Sequence, residues 1–543
     1  MVWYVTGANP THRVLNQPPP LLDDDLYQGD PVLDTLLRHH EADHHVVDLA
    51  GFGRRAGTAE HRRHGELANR HEPVLHTHDR FGHRIDEVEF HPSWHHLMAA
   101  SMETGMQSVC WNSRAGWVAR CAYNYLDSQI EAGHWCPISM TGAAVATLGD
   151  AFPAWTRRLT ASQYQPTSAP IGSKPSALCG MGMTEKQGGS DVRANTTRAE
   201  RIDSGGGDGD GWFRITGHKW FTSAPTSDGF LVLARTGSGL SCFLMPRVLD
   251  DGSRNAIRIV RLKDKLGNRS NASAEVEFDG ALAQLVGEEG RGVATILPMV
   301  SVTRLDCAAS SAALMRQAVT QARHHVRHRE AFGSALIDKP LMRNVIADLE
   351  IEARAALAMT MSVATTFDHD DEESTSIRRI LTPLAKYWIT KRCTGVVREA
   401  MECLGGNGYV EESGMPRLFR ESPVNAIWEG SGNVIALDVL RVLAREPHAV
   451  ELLLDRAELL RSVGGGVGEY LDGVAEGIRS PGEATARVLT ERLALVAQTL
   501  ALTALDDPQL VEAFVRSRLL GESGNFYGTL PADLVMDRLV EST

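Results

Sequence analysis

The sequence predicts an α+β protein laid out as helices, a β domain, helices again, and an extra helical module. Three observations predict it. Apolar residues recur at three- and four-residue spacing between residues 29 and 180 and again beyond residue 290. Between these stretches come short runs rich in β-branched and aromatic residues, bounded by glycine. The last segment returns to helical spacing with a charge balance of its own. The expected boundaries are 1–180, 181–288, 289–446 and 447–543.

In chain order, residues 1–25 carry Pro18-Pro19-Pro20, which blocks both helix and central strand and predicts an extended arm on the body of the protein. His61 to Glu72 is polar. Trp94 to Met106 and Gly116 to Ala132 show helical spacing, and Pro137, Pro153, Pro166, Pro170 and Pro175 punctuate the rest of the segment. Trp212 to Thr216, Phe230 to Ala234, Leu240 to Met245, Ile257 to Val260 and Ala274 to Phe278 read as strands, with Gly205 to Gly211 as a turn or loop. Long helices are expected near 291–328, 340–367, 377–402 and 432–445. The charge run Asp368 to Glu373 between two of them reads as a solvated loop. Residues 451–543 read as helical, interrupted at Gly464-Gly465-Gly466. They hold eight arginines, no lysine and fifteen acids, a net charge of −7. No internal repeat is visible.

Composition bounds the function. At about 150 residues per domain, 543 residues suit three or four domains. With 43% hydrophobic and 23% charged residues, the chain can bury a large core without a metal or disulfide staple. Acids exceed bases by 68 to 55, and a charge of −13 is the wrong sign for a nucleic-acid coat or membrane-surface protein, although it leaves room for a local basic patch. The eight cysteines are scattered with no CxxC pair, which suits reduced core residues in a cytosolic protein and disfavours structural zinc. The N-terminus lacks the basic-then-apolar pattern of a signal peptide. The stretch Leu493 to Leu505 is too short and polar to span a bilayer. A cytoplasmic protein without membrane attachment is expected.

Gly51-Phe52-Gly53-Arg54-Arg55-Ala56 matches a dinucleotide-binding pattern and comes directly after Val46-Val47-Asp48-Leu49 and Ala50. That motif needs a strand before it and an apolar helix after it. The stretch Gly57 to His64 develops no apolar face, so the match is set aside.

Two blocks carry the functional signal. Gly182-Met183-Thr184-Glu185-Lys186-Gln187-Gly188-Gly189-Ser190-Asp191-Val192-Arg193-Ala194 is a glycine-rich loop ahead of the strands. On local pattern it is either an interdomain turn or a loop with free N–H groups and hydroxyls for a polar ligand. Glu402-Cys403-Leu404-Gly405-Gly406-Asn407-Gly408-Tyr409-Val410-Glu411-Glu412 comes at the end of a helix. It reads either as a glycine C-cap or as a place where a phosphate approaches the backbone. Together the blocks resemble both signature patterns of the acyl-CoA dehydrogenases, the second continuing through Glu412, Arg417 and Glu421. The resemblance covers roughly residues 90–445. Gly217 to Ser223, Arg329-x-x-Phe332-Gly333 and Trp428 to Asn433 resemble further stretches of that family. The Asn16-Gln17-Pro18-Pro19 arm, His91 to His95, Cys136 to Thr141 and the C-terminal extension resemble its AidB-like branch, associated with the adaptive response to alkylation.

The resemblance implies an FAD flavoprotein that dehydrogenates an acyl-CoA thioester, and a homotetramer in which neighbouring subunits complete the cofactor site. Electron-transfer flavoprotein is the implied acceptor. Glu429 takes the position of the base, beside Trp428. Met183, Thr184 and Ser190 fall near the flavin, with Trp220, Thr222 and Ser223 on its other side. Arg329, Phe332, Glu402, Gly405, Gly406, Ser431 and Asn433 fall among the cofactor contacts. In isovaleryl-CoA dehydrogenases the base sits on an earlier helix; here that position falls near Thr303, with no glutamate. The branch also implies binding of double-stranded DNA. A net −7 module is the wrong sign for that, and Arg441, Arg445, Arg456, Arg461 and Arg516 are the residues a phosphate-binding face would use. His and arginine at 323–329 read as a solvated helix end or as a phosphate contact; no metal is expected.

Overall fold

The computed structural model describes residues 11–202 and 211–541. The start of the N-terminal arm and most of the expected Gly205–Gly211 loop lie outside the described residues. Residues 11–25 run as an extended arm. Helices α1 (Pro31–His39), α2 (Val46–Ala56) and α3 (Ala59–Arg70) come after it, then a hairpin of β1 (Val74–His78) and β2 (Arg84–Glu89). Next come α4 (Pro92–Glu103), α5 (Val109–Asn112), α6 (Gly116–Asp127), α7 (Trp135–Leu148) and α8 (Pro153–Leu159). The caps explain where several of these begin. Asp30 accepts from the Val32 N–H ahead of α1, with Pro31 at its first position, and Thr58 accepts from the His61 N–H ahead of α3.

The dinucleotide-like motif lies entirely in α2, with Val46 to Leu49 helical as well. Its Gly53 has a packing reason, since a Cβ there would come within 2.7 Å of the Tyr27 Cβ. Residues 29–180 are mostly helical, and the β1–β2 hairpin is an element the sequence reading did not include. Its signal was local: Asp79 accepts from the Phe81 and His83 N–H groups and Gly82 takes a φ of 89°, which closes the turn. The hairpin packs Leu75 and Val88 onto the β-domain core, and Arg84 donates to the Ile259 carbonyl at 2.8 Å.

The five expected strands are present, each longer than its apolar run, as β5 (Trp212–Ser223), β6 (Gly229–Thr236), β7 (Gly239–Pro246), β8 (Ile257–Leu262) and β9 (Ser273–Val286). They are preceded by β3 (Cys179–Gly182) and β4 (Arg198–Arg201). The pairings β6–β4, β4–β5, β5–β9, β9–β7 and β7–β6 close a ring, with β3 and β8 attached to β6 and β9. Closure removes free edges from the five ring strands and leaves an interior filled by Phe213, Phe230, Phe243, Val276 and Phe278.

The helical bundle is α9 (Gly292–His328), then a tiny hairpin of β10 (Glu330–Ala331) and β11 (Ser334–Ala335), α10 (Pro340–Phe367), α11 (Glu372–Cys403), α12 (Met415–Glu421) and α13 (Gly432–Arg445). The charge run before α11 is not simply a solvated loop. Asp368 accepts from the Trp117 and Val118 N–H groups at the start of α6, and Asp371 caps α11 through Ser374. The extra module adds α14 (Pro447–Ala457), α15 (Val467–Arg479), α16 (Ala486–Leu502), α17 (Pro508–Phe514) and α18 (Asp537–Glu541), with all three glycines 464–466 at positive φ between α14 and α15. It is bound to the bundle by polar contacts as well as packing. Trp388 Nε1 donates to Gln498 at 2.8 Å, and Arg392 and Arg518 converge on the buried Glu352.

Two segments, Gly292–His328 and Glu483–Leu505, are long and apolar enough to cross a membrane by length and composition. Both are mostly buried here, and α9 carries the buried cations Arg316 and Arg323 on the Glu350 carboxylate. All eight cysteines are buried and unpaired, as expected of reduced core residues.

One contact sets the packing of α6 and α7 on α9. Asp306 of α9 takes Arg120 of α6 at 2.6 Å and the Ser139 hydroxyl of α7 at 2.7 Å, with Arg120 fully buried. Asp306→Ala leaves that guanidinium without its counter-charge and is expected to cost about 3–5 kcal/mol. The double variant Arg120→Met/Asp306→Leu is expected to recover most of the loss, read from urea unfolding midpoints.

Candidate active site

The Glu429 turn lies between α12 and α13. Glu429 has a φ of 58° and Gly430 a φ of 107°. A left-handed glutamate is strained, and three neighbours hold it. Arg304 of α9 donates from Nε to the Glu429 carbonyl at 3.0 Å and pairs with Asp438 of α13 at 2.7 Å. Lys386 of α11 donates to the Gly430 carbonyl. Trp428 donates to Asn425 at 2.9 Å, and Asn425 in turn to Ser311 of α9. The Glu429 carboxylate is sealed from water at Oε2 and has no hydrogen-bond partner there. Burial pushes its carboxyl above the ordinary glutamate value, while the Thr303 hydroxyl, Arg304 and Lys386 hold it back.

On the β-domain side, β3 leads directly into the first glycine-rich block. Glu185 is fully buried and accepts from Lys219 of β5 at 2.8 Å, from the Thr196 N–H and hydroxyl, and from the Thr197 N–H. Burial opposes ionisation, but these donors, Lys219 above all, hold the carboxyl well below its usual range. The clamp sets the residues beside it. Next to Glu185, the Thr184 carbonyl accepts from the Trp220 N–H at 2.8 Å, and the Met183 carbonyl accepts from Asn195 at 2.9 Å. Lys263 lies 3.3 Å from the centre of the Trp220 ring. The Thr222 hydroxyl is buried and unpartnered, while Ser223 pairs with Ser273 at 3.3 Å. Ser190 is exposed on the loop.

Cys136, on α7, joins the two sides. Its thiol is pushed up to about 12 by burial, interacts with Ser223 and Asn271, and feels the charges of Lys265 and Glu429. Ser223 of β5 and the Glu429 turn therefore both lie near Cys136.

The remaining predicted residues lie elsewhere. Ser431 and Asn433 are exposed beside the turn. Phe332 stands almost fully exposed at the tip of the β10–β11 hairpin with a φ of 52°. Arg329 donates to the Asn16 carbonyl, and the Asn16 amide pairs with both backbone groups of Glu330, so the extended arm docks on this hairpin. Glu402, Gly405 and Gly406 are exposed at the end of α11, and a Cβ on either glycine would meet nothing within 4 Å. No hydrogen bond or ion pair among the described residues joins this second group to Glu429.

Comparison with known proteins matches this arrangement. Residues 16–166 match the adaptive response protein AidB N-terminal domain, residues 180–281 the acyl-CoA dehydrogenase middle domain and residues 290–444 the acyl-CoA dehydrogenase C-terminal domain. AidB of Escherichia coli, named a putative acyl-CoA dehydrogenase, is 44% identical over 521 residues, covering 94% of each chain. The chain belongs to the acyl-CoA dehydrogenase family, in its AidB branch. Caenorhabditis elegans ACDH-11 in complex with C11-CoA superposes with a TM-score of 0.81 at 28% identity, over 99% of this chain and 94% of that one. A Bacillus anthracis acyl-CoA dehydrogenase complexed with FAD shares the fold, with a TM-score of 0.59 at 15% identity over 83% and 90% of the two chains.

The residues present fit the family's FAD. An unpartnered buried hydroxyl at Thr222, a fixed Thr184–Trp220 pair and two open glycines at the end of α11 are features a flavin and its phosphates would use. Sequence reasoning missed the parts that hold the site, namely Glu185 with Lys219 and Lys386 with Arg304. Each lies in or near a recognisable stretch, but pairing across elements leaves no local pattern. The basic helix end is likewise divided: Arg323 turns inward to Glu350 instead of meeting solvent. A cavity of about 850 Å³ lined by Trp111, Trp117, Phe367 and Arg378 includes Ser301 and Val302 but neither Glu429 nor any predicted cofactor residue.

A Cβ at Gly189 would fall 2.4 Å from the Thr184 hydroxyl. Gly189→Val is expected to displace that hydroxyl and weaken FAD binding about tenfold, the worth of one hydrogen bond. Flavin titration of the apoprotein, with unfolding midpoints as the control, measures this.

Proposed function

We propose that this protein is an FAD-dependent acyl-CoA dehydrogenase with Glu429 as the base that removes the α-proton of a thioester. The observation that carries the reading is the Glu429 carboxylate itself, sealed and without a partner at Oε2, with Cys136, which also meets Ser223, on its other side. Desolvation raises the proton affinity of a carboxylate, and a thioester α-proton needs a base of that kind. Bound FAD supplies the two-electron oxidant that takes the β-hydrogen as hydride. The Thr184–Trp220 pair would orient the ring system, and the sealed position of Glu429 Oε2 keeps water off that oxygen.

The isovaleryl-type base position, Thr303, lies beside the Glu429 carboxylate rather than at a separate site. Threonine there steadies the anion instead of competing for the proton. The C11-CoA bound to the nematode relative supports an acyl-CoA ligand here. The exposed Phe332, Gly405 and Gly406 support cofactor contacts completed by neighbouring subunits of a homotetramer. Electron-transfer flavoprotein as acceptor and a cytoplasmic location are proposed with the same reading.

Charge pairing argues against duplex DNA as the main ligand. Arg456 pairs with Glu373, Arg461 with Glu458 and Asp472, and Arg516 with Glu522 and Asp533. Arginines already neutralised this way release few phosphate counterions. Only Arg441 and Arg445 of the five have no ion pair among the described residues, and both are exposed.

Two measurements test the reading. Anaerobic addition of an acyl-CoA panel is expected to bleach the flavin, and Glu429→Gln to slow bleaching by about 10²–10⁴-fold with FAD retained. The acid limb of the reduction rate is expected above the ordinary glutamate value, because burial raises the Glu429 carboxyl and the base works only when ionised. Duplex binding is expected to show a shallow dependence on salt; a steep slope would restore DNA protection as the leading function.

A further inference from the structure

Lys386 takes no direct part in the proposed proton transfer. It lies midway along α11 and is 1% exposed, one of the largest fully buried side chains in the protein. A buried ammonium ordinarily has a carboxylate partner. Among the described residues none lies within ion-pair distance of Lys386, and its hydrogen-bond acceptor is the Gly430 carbonyl. That carbonyl belongs to the residue after Glu429. Burial pushes the amine down to about 8, opposed by the charges of Cys307 and Glu429.

The cost of keeping a cation there needs a return, and the turn it touches indicates one. Glu429 and Gly430 both take positive φ, so the peptide that carries the carboxylate is strained and must be held from outside. Arg304 holds the Glu429 carbonyl from α9, and Lys386 holds the next carbonyl from α11. The two cations approach from different helices, and both act on the Glu429 carboxylate through charge.

We propose that Lys386 is a positioning residue for Glu429: its ammonium pins the Gly430 carbonyl so that the carboxylate is presented to the thioester, and its charge keeps that carboxylate ionised although Oε2 is shut off from water. The proposal rests on the reading of Glu429 as the base. The charged and titratable groups facing the pair are Arg304, Asp306 and Cys307 from α9, Lys391 from α11 and Cys136 from α7. Asp306 opposes ionisation of Glu429 but is engaged by Arg120, which leaves Lys386 and Arg304 as the cations that favour it.

Two variants separate the hydrogen bond from the charge. Lys386→Gln keeps a donor without a charge, and Lys386→Met removes both. The primary readout does not require turnover. Infrared titration of the Glu429 carboxyl, isolated by subtracting the spectrum of Glu429→Gln, gives its pKa in each background. Both variants are expected to raise that pKa by about one unit or more, the effect of removing a nearby opposite charge. In flavin reduction, the acid limb should move upward by the same amount in both variants. The high-pH plateau should survive in Lys386→Gln and fall about tenfold or more in Lys386→Met. FAD content and unfolding midpoints identify a variant that fails to fold; Lys386→Gln, the milder change, then decides alone. A Glu429 pKa unchanged in folded Lys386→Gln overturns the proposal while leaving the base assignment intact. Undiminished reduction by Glu429→Gln overturns the base assignment instead, and with it the positioning role.

Discussion

The buried carboxylate of Asp306 is the constraint on which the site depends. It ties α6 and α7 to α9 through Arg120 and Ser139, and the Asp306 carbonyl accepts from Asn124 as well. A charge pair this deep tolerates little displacement, because separation leaves both ions in a medium that cannot solvate them. Asp306 therefore sets the position of α9 against its neighbours. Thr303, Arg304 and Cys307 sit within a turn of it and meet the Glu429 turn from α9. The groups that adjust the proposed base are placed by an interaction that does not touch it.

The same logic recurs where the β domain joins the helices. The loop between β8 and β9 sends Ser270 to Glu131 at 2.8 Å, Arg269 to Glu72 at 2.9 Å and Asn268 to Glu421 of the second signature. Gly267 passes so close to α12 that a Cβ would lie 2.2 Å from the Arg420 carbonyl. Glu131 also receives His134, whose imidazole the Asp127 and Glu131 carboxylates raise to about 10 against the opposing effect of burial. Apolar packing alone would allow the barrel to slide over the helices; directional bonds to buried carboxylates select one docking. The Glu185–Lys219 pair does the same for the strand residues that face the site.

Two kinds of surface then remain. The Thr222 hydroxyl and Oε2 of the Glu429 carboxylate are each sheltered and unpartnered, as a site for a polar ligand requires. Phe332, Gly405 and Gly406 lie in the open. Their exposure agrees with the proposed cofactor site shared between subunits, and the extended arm, through Asn16, braces the hairpin that carries Phe332.

Much of the fold was legible in the sequence because it is locally encoded. Helical periodicity located α9, α10 and α13 closely, and short apolar runs between glycines located the five long strands. The β1–β2 hairpin escaped because its alternation is half-polar, and the charge run before α11 because capping and solvation look alike in sequence. The identity of the candidate residues was also legible: two glycine-rich blocks in the right order name Thr184, Gly405 and Gly406, and the Trp428–Asn433 stretch names Glu429. What only the tertiary structure decided is which groups hold them. Lys386 and Glu429 lie on different elements far apart in the chain, Arg120 and Asp306 farther still, and a lysine in a helix carries no local mark of burial. Electrostatic partnership depends on distance in space and on exclusion of water, and neither exists until the helices have packed.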